Sequence, residues 1–383
     1  MKLAYQSTLD ELCNVEYGTR VVNKRDGGSI YPVYGGGGAT FKMDSYNRED
    51  RLVVARFAMS AQCTRFVDGK FFLNDSGLTL SPKNADLSAL YLSYQLLSLN
   101  DEIYSIARGA AQKNLNVNEF KKLSLRVAPL TEQKRIVALL DTVFSDLEQT
   151  RAKTEQNLKN ARELFDSYLQ QVFIQKGDGW VETTLGNVAK FKNGLNFSQS
   201  SKGEELTIVG VKDFKSHFMV PFEQLNTIQI DGDLSEEYEL KKNDIITVRS
   251  NGNKRLIGRC LLMGTPISKT SYSGFTIRIR LIEDNICPEF LTYYMKSSST
   301  HELLINSGEG ANISNLNQKI LTALPVTYPS YEQQCELVKN IKRIETESNS
   351  LTRIYTEKLD SIDELKKSIL QKAFSGELIT TAN

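Results

Sequence analysis

The sequence predicts an α+β protein with an internal pseudo-two-fold repeat, in which two similar globular domains are separated by two long helices that pack as a coiled coil. Three observations predict it. Matching motifs recur about 200 residues apart. Two segments of ~45 residues each carry an apolar stripe at three-to-four spacing. Short β-rich runs broken by Gly, Asn and Asp fill the remainder.

The first globular domain is expected over 1–130 and the second over 177–329. Their beginnings align: Leu9, Leu12, Val15 and Gly18 match Leu185, Val188, Phe191 and Gly194. RLVVARF (51–57) reads as a strand in the first domain, and DIITVRS (244–250) and GFTIRIRLI (274–282) read as strands in the second. A helical stretch near 86–98 (LYLSYQLLS) matches one near 288–300 (FLTYYMKSS) in pattern. Then GAAQKNLNVN (109–118) matches GEGANISNLN (308–317).

The central helix is expected over 131–176 and the C-terminal helix within 330–383. The first opens at PLTEQKRIVALL, with Thr131 as N-cap before Glu132. Its stripe is Ile136, Leu140, Val143, Leu147, Thr154, Ala161, Phe165, Tyr168 and Val172. The second opens at PSYEQQCELVKNI, which sets Glu332-Gln333 200 residues after Glu132-Gln133. Its stripe is Leu337, Ile341, Ile344, Leu351, Ile354, Ile362, Leu365, Ile369 and Ala373. ELFDSYLQQVF (163–173) and ELKKSILQKAF (364–374) repeat at an offset of 201, before Gly177 and Gly376. Each helix is roughly 65 Å long at 1.5 Å per residue. A helix with one apolar stripe needs a cover, and two stripes of equal length cover each other.

Composition narrows the function. Of the 383 residues, 47 are Lys or Arg and 46 Asp or Glu, and each segment is nearly neutral, with 16 basic and 13 acidic residues in 1–130 the largest imbalance. A nucleic-acid partner would be held by local patches, or with help from a basic partner protein. Five cysteines and two histidines, His217 and His301, form neither a C-x-x-C pair nor a zinc spacing, and the cysteines read as reduced, mostly buried thiols. No apolar run reaches ~18 residues and the N-terminus lacks a signal core, so the reading is cytoplasmic, with no membrane. The run Gly35–Gly38 is followed by Ala39-Thr40, not by the Lys-Ser/Thr of a phosphate loop, and reads as a turning loop. No Pro-Pro loop of an adenine methyltransferase, nuclease cluster or nucleophile elbow occurs, so no catalytic residue, metal site or cofactor is expected in this chain.

The candidate binding residues are polar loops recurring in both halves. Arg249, Asn251, Asn253, Lys254 and Arg255 follow DIITV, and Arg56 follows RLVVA in the same way. Arg65, the pair Lys24 and Arg25 beside Gly27-Gly28, and Arg108, Gln112 and Lys113 of the Gly-rich stretch join them, with Asn312 in the second copy of that stretch. Arginine and asparagine pair bidentately with guanine and adenine edges, so the set reads as a DNA-binding surface.

The paired P-x-x-E-Q helix starts, the paired E-L-x-x-S-x-L-Q-x-x-F helix ends, W-x-x-x-x-L-G-x-V at Trp180–Val188, GRCLLM and the DIITVRS segment together resemble the specificity subunit of type I restriction–modification enzymes, over nearly the whole chain. The resemblance implies two target-recognition domains separated by two helices in antiparallel contact. Each domain would read half of a split site on double-stranded DNA, and the helices would measure the unread spacer. It implies two methyltransferase subunits, which carry S-adenosylmethionine, and restriction subunits, which use ATP and Mg, as partners. A duplicated reader also suits a bipartite site on a duplex. The chain departs from the repeat at its start, where Leu9 lacks a counterpart of Trp180; the tail ending in GELIT (376–380) is expected to pack near the first domain. The competing reading is a non-catalytic coiled-coil scaffold that binds proteins instead of DNA.

Overall fold

The computed structural model describes residues 4–177, 179–198, 200–215, 217–306, 315–375 and 377. It divides into two compact units: 1–155 with 356–383, and 156–355. Each unit therefore combines one globular domain, the opening of the long helix that follows it and the closing part of the other long helix. These units cut across the linear division read from the sequence.

Unit 1 opens with β1 (Tyr5–Thr8), α1 (Leu9–Leu12), β2 (Cys13–Tyr17), α2 (Asn23–Asp26), β3 (Tyr31–Tyr34) and β4 (Lys42–Met43). It continues through β5 (Arg48–Ala55), β6 (Thr64–Leu73), β7 (Gly77–Pro82), α3 (Ala89–Ser98), α4 (Asn100–Ser105), α5 (Val117–Lys121) and β8 (Ser124–Val127) to the long helix α6 (Leu130–Ile174). Unit 2 carries β9 (Val181–Thr184), α7 (Leu185–Val188), β10 (Ala189–Asn193), β11 (Glu205–Val209), β12 (Asn226–Gln229), β13 (Ile245–Val248) and β14 (Cys260–Leu262). Then follow β15 (Thr270–Tyr272), β16 (Thr276–Leu281), α8 (Pro288–Lys296), α9 (Ser298–Asn306), α10 (Gln318–Ala323), β17 (Pro325–Tyr328) and α11 (Tyr331–Ser375).

The repeat is structural. Unit 1 has an antiparallel ladder β2-β7-β5-β6 and unit 2 has β10-β16-β13-β14 in the same order. The first strand of each domain pairs with its last, β1 with β8 and β9 with β17. The hairpin β3-β4 corresponds to β11-β12. The parallel partner of the hairpin's first strand differs in construction: ten-residue β6 pairs with β5 and then with β3, whereas in unit 2 β14 and β15 divide these two tasks. Gly18 and Gly194 occupy matching crowded turns. A Cβ on Gly18 would lie 1.9 Å from the Asn74 carbonyl oxygen, and one on Gly194 would lie 2.2 Å from that of Ser273.

Each core joins its sheet to the two helix segments of its own unit. In unit 1, Leu9, Leu78, Tyr91 and Phe120 pack with Ile136, Leu140 and Phe144 of α6 and with Leu370 and Ala373 of α11. In unit 2, Leu185, Ile277 and Phe290 pack with Leu169 and Phe173 of α6 and with Val338 and Ile341 of α11. The helix segments run antiparallel in both: Arg151 pairs with Asp363 and Glu148 with Lys366 in unit 1, and Ser348 Oγ donates to the Ala161 carbonyl (2.6 Å) in unit 2. The stripes are wider than the sequence predicts. Phe144, Leu169, Phe173, Val338 and Leu370 are buried beside the expected Val143, Tyr168, Val172, Leu337 and Ile369, which are half-buried and also pack on the cores, while Ile354 and Leu365 are exposed. The cause is that each helix segment faces both a domain and another helix, a wider contact than a single seam.

Thr131 is not the N-cap of α6. The helix starts one residue earlier, and the Pro129 carbonyl accepts from Glu132 and Gln133. The Gln133 side chain, fully buried, instead accepts from the Ser88 N–H (2.8 Å) and donates to the carbonyls of Asp86 (2.8 Å) and Ala128 (2.7 Å). Gln334 repeats this with Cys287 N–H (2.8 Å) and the carbonyls of Asn285 and Pro329 (both 2.9 Å). The structural partner of Gln133 is thus Gln334, not Gln333. The 201 offset of the helix ends holds at the helix starts.

Candidate nucleic-acid interface

The candidate interface of unit 1 is built at the end of β5. Arg56 leaves the strand with its N–H bound to the Ser76 carbonyl (2.8 Å), while its own carbonyl accepts from Leu115 N–H (2.8 Å). Its guanidinium lies over two rings, Tyr17 (4.9 Å) and Phe57 (4.6 Å). The glycine run follows β3. A Cβ on Gly36 would lie 2.6 Å from the Phe57 carbonyl oxygen, whereas Gly37 and Gly38 face open space, so the first part of the run is fitted against the strand end. Arg65 on β6 donates to the Gly37 carbonyl. Arg108 and Asn114 exchange main-chain hydrogen bonds (2.9 and 2.8 Å), closing a small loop that presents Gln112 and Lys113. The Lys113 ammonium stands 4.2 Å from the Tyr104 ring centre. With the Asn116 amide turned so that its oxygen accepts, Arg108 donates to it at 3.0 and 2.9 Å. The Lys113 carbonyl accepts from Met59 N–H (2.9 Å), which joins this loop to the Arg56 segment.

Lys24 and Arg25 do not join this group. They sit on α2, near the end of β3 opposite the glycine run, where Gly28 N–H donates to Lys42 and Ser29 N–H to Asp44. Arg25 is held by its neighbour Asp26 (2.8 Å), whose carboxylate raises the guanidinium pKa further. A short helix with its own ion pair faces solvent there.

Unit 2 repeats the construction. Arg249 leaves β13 with its N–H on the Phe275 carbonyl (2.8 Å), and its carbonyl accepts from Leu316 N–H (2.8 Å). Leu115 and Leu316 are 201 residues apart, so Arg56 and Arg249 occupy the same place in the repeat. Phe275 is 62% exposed beside it. In the loop that follows, Asn251 Oδ1 accepts from Asn253 N–H (2.8 Å) and Asn253 Oδ1 accepts from Arg255 N–H (3.1 Å). These asparagines shape the turn that exposes Lys254 and Arg255. Arg259 donates to the Lys215 carbonyl (3.0 Å), tying down the segment after β11 as Arg65 ties down the segment after β3. Asn312 lies outside the described residues, as does the tail from 378.

Asp244 of the DIITVRS segment is structural. It is buried, receives both Nε and Nη2 of Arg280 (2.6 Å each) and caps Lys241 N–H (2.7 Å). His301 bonds through Nε2 to the Ile257 carbonyl (2.9 Å) and holds the loop to α9. Burial raises the thiol pKa values of Cys13 to about 12 and of Cys63 and Cys260 to about 11, keeping them protonated and unreactive near neutrality. Among the described residues, no three His, Cys, Asp or Glu side chains cluster as metal ligands, and no helix is long and apolar enough to cross a membrane.

A duplicated α+β domain that ends a core strand in an arginine beside exposed aromatic rings is suited to reading base edges and stacking on them. The chain matches the family described as type I restriction modification DNA specificity domain twice, over residues 4–158 and 177–360, and it belongs to that family. It is 26% identical over 294 residues to the type I restriction enzyme StySPI specificity subunit of Salmonella potsdam, covering 73% of this chain and 62% of that protein. It is 23% identical over 322 residues to the EcoKI specificity subunit of Escherichia coli, covering 78% and 67%. The chain thus spans less than two thirds of the first relative's length. A solved chain from work on complex assembly and conformational transition of the type I R-M system shares the fold at a TM-score of 0.72 with 17% identity, covering 99% of this chain and 100% of that one.

Proposed function

We propose that this chain is the DNA-reading subunit of a type I restriction–modification complex, with each globular domain reading one half of a bipartite duplex target. The observation that carries this is the equivalence of Arg56 and Arg249. Each stands at the end of the same ladder strand, pinned by the same main-chain bond from Leu115 or Leu316. A reader duplicated within one chain presents the same chemistry twice, as a split site requires. In this reading α6 and α11 set the spacer and dock two methyltransferase subunits. The chain itself performs no chemistry. S-adenosylmethionine belongs to the methyltransferases, ATP and Mg belong to the restriction subunits, and the complex works in the cytoplasm. The near-neutral charge is compatible with a complex in which partners supply much of the phosphate contact.

The test is methylome sequencing of host DNA with and without this gene, its neighbouring methyltransferase being present in both. A split adenine-methylated motif that disappears with the gene is expected. An unchanged methylome under proven expression would sink the reading and leave the protein-binding scaffold.

A further inference from the structure

Unit 2 contains an open cavity of about 590 Å³ lined by Lys215, Lys254, Arg255, Arg259 and Lys296, with Glu302 as the one carboxylate among the described lining residues. These cations come from three places in the chain: the segment after β11, the β13–β14 connection and the last turn of α8. Two of them are fixed by neutral partners. Arg259 donates through Nε to the Arg255 carbonyl (3.2 Å) and through Nη1 to that of Lys215 (3.0 Å), and Lys296 Nζ donates to the His217 carbonyl (3.1 Å). A carbonyl orients a cation without cancelling its charge. Several other lysines of the unit are paired with carboxylates, Lys192 with Glu237 (2.8 Å), Lys241 with Glu236 (2.7 Å), Lys269 with Glu204 (2.5 Å) and Lys342 with Glu289 (2.6 Å), whereas Lys212, like Lys296, donates to a neutral oxygen, that of Asn226 (2.5 Å).

Gathering like charges in one concavity costs free energy in the unliganded protein, and the cost is recovered when an anion enters. The loop wall is tied to α9: His301 Nε2 bonds to the Ile257 carbonyl, and Gly258, at φ +80°, packs against His301 and Leu304. The cavity also adjoins the reading strand. Val248 N–H donates to the Arg259 carbonyl (2.9 Å) and Gly258 N–H to the Val248 carbonyl (3.0 Å), one residue before Arg249.

We propose that this cleft holds a backbone phosphodiester of the duplex whose bases Arg249 faces, making Lys215 and Lys296 sequence-independent contacts of the second half-site. The assignment rests on the DNA-reading function proposed above. It also makes the two units unlike each other. In unit 1 the helix at the place of α9 is α4, which opens Asn100-Asp101-Glu102 and pairs Asp101 with Lys367.

The experiment measures binding by the full chain, assembled with its methyltransferase subunits, to its target duplex and to the same duplex with both half-sites scrambled, across a salt series. Lys296→Ala and Lys215→Ala are each expected to weaken binding by a similar factor on both duplexes, roughly three- to tenfold, and to lower the slope of log K against log salt by about 0.9. Lys296→Arg should restore most of both, with an unchanged melting temperature excluding misfolding. Loss confined to the target duplex, or an unaltered slope, would overturn the phosphate assignment alone. A wild-type assembly that does not distinguish the duplexes would overturn the DNA-reading function first.

Discussion

Gly18 and Gly37 show how differently two glycines of one domain are constrained. A methyl group at Gly18 collides with the main chain at Asn74, whereas Gly37 has open space around its missing Cβ. Gly18→Ala should cost about 2–3 kcal/mol of unfolding free energy, and Gly37→Ala should stay within about 0.5 kcal/mol. Urea denaturation of the two variants checks this, and equal losses would refute the packing argument. Arg249→Ala should weaken binding by ~1–3 kcal/mol on duplexes with an intact second half-site and much less on those with that half-site scrambled. Competition binding separates this from a uniform loss, which would reveal a phosphate contact instead. At this scale the place of the two arginines was legible, because Arg56 and Arg249 each directly follow a β-branched run, RLVVA or DIITV, that reads as a strand. Lys215 and Lys296 were not: they lie 81 positions apart, and only folding brings them to one cleft.

Between the long helices and the domains, the polar anchors are as informative as the apolar stripe. Gln133 and Gln334 each satisfy a buried N–H and two carbonyls where a domain meets its helix. Hydrophobic periodicity ranks glutamine as a surface residue, so neither was legible as a core position. Gln334→Ala should destabilise unit 2 by about 2–3 kcal/mol, since it strands groups that cannot reach water; a melting curve matching wild type would contradict it. Tyrosines make the other bridges: Tyr94 donates to Asp141 of α6 and Tyr293 to Glu345 of α11 (2.8 Å). Burial and the neighbouring carboxylate raise both phenol pKa values, and burial lifts that of Tyr91 to about 12. A folded-state pKa raised above the unfolded one favours the neutral form. These tyrosines therefore contribute full stability below about pH 10 and lose it as pH climbs toward 12; the buried thiols begin to do so nearer pH 9. The thermal midpoint should be flat from pH 7 to 9 and fall above that. A midpoint that rises with alkalinity, followed by circular dichroism, would show the sign to be wrong.

For the whole molecule, the repeat, the two long helices and the α+β character of the domains were legible, because duplication leaves collinear motifs even where loops diverge. The division of labour between β14 and β15 was not, since it depends on a partner strand distant in the chain. If the two readers are independent, replacing residues 1–130 by those of a relative should change one half-site of the methylated motif and leave the other intact. Methylome sequencing of the chimera reads this directly, and a change in both halves would disprove modularity.

The discontinuity of unit 1 has a consequence for biosynthesis. A ribosome delivers residues 156–355 as one uninterrupted stretch, so unit 2 has all its parts as soon as that stretch emerges. Unit 1 begins earlier and finishes later: Leu370 and Ala373 of its core emerge only after the whole of unit 2. Residues 1–155 must therefore wait with an unfilled apolar surface until 356–375 have followed unit 2. A nascent protein stalled before residue 356 would carry a finished unit 2 and an uncovered unit 1, the species most prone to aggregate or to be taken up by a chaperone.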